Sequence, residues 1–405
     1  MRAHGAIQQG KPGPLSYSHI RTRQSRHVYP ILFTFITHSK ISPQLAFRQT
    51  VHHYGTDLCW TPMILAKEFN RNQFARDSDL TISTTTTTTT TPELPTIAQF
   101  GANSPLELSR ASSLAAPFVH GVDLNCGCPQ SWACAQTLGA GLMEKRELVR
   151  DMLVATRKRL HEDGWGVGKE ADIDNPDGKG RSVSVKIRVH GDLRKTVDFV
   201  TTVLGDVHDR NIDWLTIHPR TRHTQSSIPI NLDALELLTD MFGDKVPILV
   251  SGDVFTLSTL PYTSHLLQQQ QQQQQQQSPT FTGGDDDVVN IKKPHLPKLA
   301  GLMSARALLA NPALFAGYEN CPWEAVDLFM NNVARAPLPL KLGIHHLTEM
   351  CGTGFGPDRH SALLSKRERI RLTEFDNWVD VIDFLDDAKQ SRGIGPIVRN
   401  TYDDK

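Results

Sequence analysis

Acidic residues are missing from the first 56 positions, where Arg, His and Ser are frequent. That composition resembles an organelle-targeting leader, so a mitochondrial location stands beside the cytoplasmic or nuclear one expected otherwise. Cysteine is scarce as well. Cys59, Cys126, Cys128, Cys134, Cys321 and Cys351 are too few and too scattered for a disulfide framework, which points to a reducing compartment. They also lack a CxxC pair or a His at ligand spacing, so no metal is expected. No apolar run approaches the roughly 20 residues that span a bilayer, which excludes a membrane partner. Net charge is missing too: 43 basic and 43 acidic side chains cancel, so any nucleic-acid surface must come from local clustering.

What is present alternates. Gly121–Asn125, Val183–Val189, Trp214–His218, Val246–Val250 and Gly301–Ser304 read as short strands. Leu148–Leu160, with Val149, Leu153, Thr156 and Leu160 on one stripe, and Leu232–Phe242 read as helices between them. Repeated β–α units with polar residues at successive strand ends predict a (β/α)8 TIM barrel. After Phe315 the strands stop. Trp323–Val333, Leu340–Met350 and Ser365–Leu385 predict a small C-terminal α-helical domain. The expected division is a leader over 1–44, disordered or atypical, a barrel over 45–315 and a helical domain over 316–405. Low-complexity insertions near 78–92, 161–181 and 258–296 interrupt the barrel. They include the threonine run Thr84–Thr91 and the glutamine run Gln268–Gln277, which cannot bury enough apolar surface to offset their ordering entropy.

Function in such a barrel sits at the C-terminal strand ends. These carry Gln99, the Asn125-Cys126-Gly127-Cys128-Pro129 turn, Lys186 with Arg188, His218 to Arg222, Ser251-Gly252-Asp253 and Ser304-Ala305-Arg306. Lys186 alternates with apolar residues on a strand covered on both faces, so its stem points to the barrel axis. A buried ammonium needs a partner: either a bound anion or a barrel carboxylate such as Asp123. The last two strand ends, rich in small residues, suit a phosphate. Gly and Pro bend the cysteine turn so that Cys128 is presented at the barrel mouth. A thiol of ordinary pKa near 8.5 suits proton donation to a carbanion-like carbon. Along Leu363–Arg371, the side chains of Lys366, Arg367, Arg369 and Arg371 form a basic helical cluster that suits phosphate contacts.

VDLNCGCPQSWACAQTLGAGLMEK, together with DLCWTPMI, TIAQFGAN, VKIR, IHPRTR, ILVSGDV and SARALLANPALF in that order, resembles the tRNA-dihydrouridine synthase family. NCGCPQ and ANPALFAGYE look like its eukaryotic subtype for tRNA positions 20a and 20b. The resemblance implies an FMN-bearing barrel driven by NADPH or NADH, with tRNA as partner. It implies that Cys128 is the acid and that Asn125 positions the base. Gln99 and Lys186 would contact the flavin ring, and His218 its ribityl or phosphate side. Ser251, Gly252, Asp253, Ala305 and Arg306 would cradle the phosphate. Arg188, Arg220 and Arg222 would lie near the site and meet RNA. Position 251 is usually Asn in the family, and Ser shortens that reach.

One departure concerns the family's first strand, which carries Ala-Pro-Met. His27–Lys40 stands in its place, and only Ile31–Ile36 has strand-like composition. The expectation is a chain short of its first strand, with a surrogate strand in the leader as the other outcome. Two other functions compete with the synthase: a dihydroorotate dehydrogenase-like flavin barrel acting on a free base, and a tRNA-binding homologue without catalysis.

Overall fold

The computed structural model describes residues 29–32, 45–73, 76, 80, 95–172, 178–264, 293–356 and 361–395. Among these residues nine parallel strands follow in chain order: β1 (Tyr29–Leu32), β2 (Leu58–Trp60), β3 (Ile64–Leu65), β4 (Thr96–Gly101), β5 (Gly121–Cys126), β6 (Ser182–Arg188), β7 (Trp214–His218), β8 (Ile248–Ser251) and β9 (Leu299–Ser304). Eight of them close a ring. β1 pairs with β2, β2 with β4, and each later strand with the next until β9 returns to β1. β3 adds a short pairing at the far end of β4. The result is a (β/α)8 barrel.

β1 corrects the expectation of an absent first strand. Tyr29–Leu32 lies in register with Gly301–Ser304, and Ile31–Leu32 with Leu58–Cys59. The strand starts two residues before Ile31–Ile36, so Pro30 lies within the paired segment rather than ahead of it. Proline has no N–H to give to a ladder, which limits what this strand can contribute. Residues 33–36 fall outside the described residues.

Period-two alternation sorts the barrel side chains into an outer face and an axial one. Val183, Val185 and Ile187 pack outward into the main core against the helices, as do Leu215 and Ile217. Axial residues form two tiers. Leu58, Trp60, Ile97, Leu249 and Met303, with Trp214 and Ala300, make an apolar plug. Polar residues sit further along the strands: Gln99, Asp123, Asn125, Ser184, Lys186 and Thr216, all buried. The plug closes the barrel floor, so polar chemistry is confined to the C-terminal mouth.

Helices flank the strands: α1 (Leu45–His53), α2 (Ala66–Arg71), α3 (Pro105–Ala115), α4 (Ser131–Ala135), α5 (Arg146–Glu162), α6 (Leu193–Leu204), α7 (Leu232–Phe242) and α8 (Arg306–Ala310). α5 buries Val149, Leu153, Thr156 and Leu160, the stripe its sequence spacing requires. The described part of the 161–181 stretch is mostly exposed and is anchored at a few points. Gly166 bridges Gly180, and the Arg181 guanidinium lies 4.0 Å from the Trp165 ring centroid. Arg181 Nε also donates to the Ala116 carbonyl at 2.7 Å. The threonine and glutamine runs lie outside the described residues. The ends of the last insertion are held together where Thr263 N donates to the Pro294 carbonyl at 2.9 Å.

Among the described residues, four α-helices follow the barrel: α9 (Trp323–Arg335), α10 (Leu340–Met350), α11 (Lys366–Leu372) and α12 (Trp378–Ser391). The single helix expected over Ser365–Leu385 is two. Thr373 ends the first, and the Asn377 side chain caps the second by accepting from Asp380 N at 2.9 Å. Ser365 and Glu368 form a capping box at the start of α11. The helical region shares a core with the barrel. Phe47 on α1 meets Phe329 on α9, and Asn332 Nδ2 donates to Thr50 Oγ1 at 3.0 Å.

Candidate active site

Register places the polar tier. Gln99 is level with Asp123, Asp123 with Ser184, Asn125 with Lys186, Lys186 with Thr216, and Arg188 with His218. One hydrogen-bonded relay links the first of these. Ser184 Oγ donates to Asp123 Oδ1 at 2.6 Å, and Gln99 Nε2 donates to Asp123 Oδ2 at 2.6 Å. Because Asp123 accepts, Gln99 must turn its amide nitrogen down and its oxygen up. That oxygen accepts from Asn125 Nδ2 at 2.7 Å. Asn125 Oδ1 is then left to accept from the backbone amides of Gly127 and Cys128, both at 2.9 Å. A carboxylate deep in the barrel thereby fixes the orientation of two carboxamides and the turn that carries the cysteine.

Burial pushes the Asp123 carboxyl up to about 6, opposed by its bonds to Ser184 and Gln99 and by the Lys186 charge. The group is therefore largely ionised near neutral pH. Burial lowers the Lys186 ammonium to about 7, with Arg188 adding to the fall and Asp123 and Cys128 opposing it. His218 is held well below its ordinary value by burial and by Lys186, Arg188, Arg220 and Arg306. Four cationic side chains thus act on His218 at the mouth, one of them, Arg220, paired with Asp253, and the balance favours an anion. Thr216 Oγ1 is buried beside Lys186 without a hydrogen-bond partner. Gly252, at φ +109°, leaves space that a Cβ would fill to within 3.1 Å of the His218 ring and 3.2 Å of Arg220.

Cys128 is 3% exposed and packs with Ala133 and Leu138, with Met63 and Leu65 alongside. Burial raises its thiol above the ordinary range, against the Gln130 backbone bond and the Arg188 and Lys186 charges. The Cys128 carbonyl accepts from Ala140 N at 2.8 Å, and Arg188 Nε donates to the Gly127 carbonyl at 2.7 Å. Arg188 also donates to the Thr221 carbonyl at 2.8 Å, joining the cysteine turn to the β7 loop. Cys126 is fully buried in the main core and points away from this site.

Residues 42–272 match the family model described as dihydrouridine synthase (Dus). The chain belongs to the dihydrouridine synthase family. The tRNA-dihydrouridine(20a/20b) synthase of Saccharomyces cerevisiae is 30% identical over 380 residues, 93% of this chain and 84% of that protein. Its namesake in Schizosaccharomyces pombe is 32% identical over 344 residues, 85% and 84% of the two chains. The human tRNA-dihydrouridine(20a/20b) synthase-like protein is 32% identical over 325 residues, 79% and 81%.

Within this family member, the structure brings together Gln99, Asn125, Cys128, Lys186, Arg188 and His218. It redirects others. Arg220, expected to meet RNA, is 3% exposed and turned inward. It donates to Asp253 Oδ1 at 2.6 Å and to the Ile228 carbonyl at 2.7 Å. Asp253, expected in the phosphate cradle, accepts from Ile230 N at 2.8 Å with its other oxygen. Together they brace the Ser251-Gly252-Asp253 turn, where Asp253 holds φ +55°. Arg222 is exposed. Arg306 follows Ala305 at the rim, its guanidinium 5.8 Å and 5.9 Å from the Phe255 and Phe355 rings. In the basic cluster, Lys366, Arg367 and Arg371 are exposed, whereas Arg369 turns toward Gly352 and Cys351.

Sequence reasoning missed Ser184, Thr216 and Gly139 as parts of the site. Ser184 and Thr216 were readable from strand alternation, two positions from Lys186 and His218. Gly139 was marked only by the small-residue run GAG. It sits at φ +55°, where a Cβ would come within 2.6 Å of the Cys128 Cβ and carbonyl oxygen. Among the described residues no group of His, Cys, Asp and Glu could hold a metal, and no helix is long and apolar enough to cross a membrane.

Proposed function

We propose that this chain reduces uridines in the tRNA D-loop to 5,6-dihydrouridine, at positions 20a and 20b, using FMN and a nicotinamide dinucleotide. The observation that carries the reading is the relay from Asp123 through Gln99 and Asn125 to the Gly127 and Cys128 amides. It holds one thiol beneath a cluster of cations, as a proton donor beside an anionic cofactor requires. The residues present fit FMN: the cation excess around His218 calls for an anion, Thr216 Oγ1 awaits a partner, and Gly252 leaves room for close approach. The position assignment follows the names of the three relatives.

FMN held here would supply the chemistry of hydride transfer to uracil C6, with NADPH or NADH as the source of electrons. Cys128 gives its proton to C5. Burial keeps the thiol protonated near neutral pH, which a general acid needs. Arg188 and Lys186 stabilise the thiolate left behind. Asn125, locked by Gln99, holds the turn in place and would help to position the base. Lys186 and Gln99 would hold the flavin ring, and His218, Ser251, Gly252, Ala305 and Arg306 would hold its phosphate arm. Asp253 and Arg220 shape that arm's turn from behind. Arg222, Lys366 and Arg367 meet RNA phosphates.

The test is direct. Purified protein with FMN, NADPH and an unmodified tRNA transcript should form dihydrouridine at 20a and 20b, read by primer extension or mass spectrometry. Dihydrouridine confined to other positions would overturn the site assignment. Reduction of free uracil with none of tRNA would favour the base-reducing alternative, and flavin-bound protein inert on every tRNA would favour the non-catalytic one.

A further inference from the structure

Trp132 stands apart from the other tryptophans. It is 41% exposed, whereas Trp60, Trp165, Trp214, Trp323 and Trp378 are buried or half-buried. An indole exposed to that extent leaves a sizeable apolar face in water. It is also tethered. Its Nε1–H donates to Gln130 Oε1 at 2.5 Å. Gln130 is the residue whose backbone bond lowers the Cys128 thiol against burial. One residue therefore contacts both the proton donor and the indole. Trp132 lies in α4, which follows directly from the cysteine turn, and Ala133 beside it packs under Cys128. The β4 end braces the same helix, since Asn103 Nδ2 donates to the Gln136 carbonyl at 2.8 Å.

We infer that Trp132 is a stacking platform for the nucleotide next to the uridine that reaches Cys128, and so a positioning residue for the RNA substrate. The inference rests on the proposed function. A base reaches an enclosed thiol only by leaving its stack, which strips one face from its neighbour. An aromatic ring replaces that face and accepts any base, because every base has a π-face. The indole is placed for this task. It is open on the solvent side, four positions along the chain from the thiol, and its edge is fixed by Gln130. Exposed Arg222, on the β7 loop that Arg188 joins to the cysteine turn, supplies a charge for the accompanying phosphate.

The experiment uses the full chain with FMN, compared at equal bound flavin. W132A should raise KM for tRNA about tenfold, within the range that loss of one base–aromatic stack gives, while kcat changes less than threefold. W132F should recover most of that loss. Tryptophan fluorescence should be quenched when tRNA binds the parent, and W132F should lose most of the quench. Q130A should raise KM by a smaller factor, because it frees the indole but leaves the ring in place. A KM for W132A within twofold of the parent, or a quench undiminished in W132F, would overturn the inference. Should the parent form no dihydrouridine, the proposed function fails on its own account. The quench in W132F would still decide whether Trp132 meets RNA.

Discussion

Gly139→Ala is the sharpest available perturbation, because it adds one methyl group without touching a chemical side chain. The new Cβ would lie 2.6 Å from both the Cys128 Cβ and the Cys128 carbonyl oxygen, whereas ordinary contact begins at 3.4 Å. The shortfall is about 0.8 Å, and one of the two atoms is backbone, so the cysteine turn must move. Movement strains the 2.8 Å bond from Ala140 N to the Cys128 carbonyl. It also pulls Cys128 N away from Asn125 Oδ1, which disturbs the relay down to Asp123. Alanine at φ +55° adds about 1–2 kcal/mol of backbone strain. Overpacking adds about 1–3 kcal/mol more. The variant should therefore be about 2–5 kcal/mol less stable, with its melting temperature lower by roughly 2–6 °C for a chain of this length. A thiol displaced by close to 1 Å should lose about a hundredfold in kcat. The assay is single-turnover dihydrouridine formation at saturating tRNA, paired with a thermal melt. Parental kcat together with a parental melt would refute the reasoning, because it would mean that the turn absorbs the methyl group without cost.

Cys128→Ala should keep its flavin and its reduction by NADPH yet lose tRNA turnover by at least a hundredfold, whereas fully buried Cys126→Ala should be mild; the reverse order would overturn the assignment of the acid. Lys186, lowered to about 7 without a ligand, binds an anion best when protonated, so flavin affinity should fall as pH rises above 7, by up to tenfold per unit. Titrations between pH 6 and 9 check this, and Lys186→Met should flatten the profile; a flat parental profile refutes it. Changing exposed Lys366 and Arg367 to Ala should weaken all tRNAs alike and lower the salt slope by up to about 2, and unchanged affinity at moderate salt would count against RNA contact there. Deleting residues 1–32 removes β1 and leaves one edge of β2 and one edge of β9 unpaired, so the truncated chain should lose its cooperative melt; a parental melt would show that the β1 pairings contribute nothing.

Much of the barrel was legible because its signals are local. Trp214–His218 and Leu232–Phe242 were read with the bounds the structure gives, and the α5 stripe follows from helical spacing alone. The helix break at Thr373–Asn377 was written in the sequence too, as Asn377 ahead of an apolar run, but helical composition outweighed the cap. β1 was harder. A strand of four residues holding a proline carries little pattern, and its pairing depends on two neighbours that lie 26 or more residues away. Arg220 shows another limit. Its place after His218 marked it as part of the mouth, yet its direction was decided by Asp253, 33 positions later in the chain. Sequence order placed the residue, and only tertiary pairing could say that it faces inward.

The same contrast explains why the site works as a unit. Gln99, Asp123, Asn125 and Ser184 come from three adjacent strands, and each alone reads as an ordinary polar residue. Register makes them one object, because a shift by one residue on any strand would send its member to the outer face. Each carboxamide in the relay has only one orientation that satisfies both of its neighbours, and the direction is set by the carboxylate at its base. Removing Asp123 would therefore do more than delete two hydrogen bonds. It would leave Gln99 Nε2 without its acceptor and loosen the hold of Gln99 on Asn125, so that the Gly127 and Cys128 amides alone would orient the Asn125 carboxamide. The apolar plug below matters for the same reason. By closing the floor with Trp60, Leu249 and Met303, it denies water to the relay from beneath, so the bonds that aim Cys128 operate in a low dielectric where each is stronger.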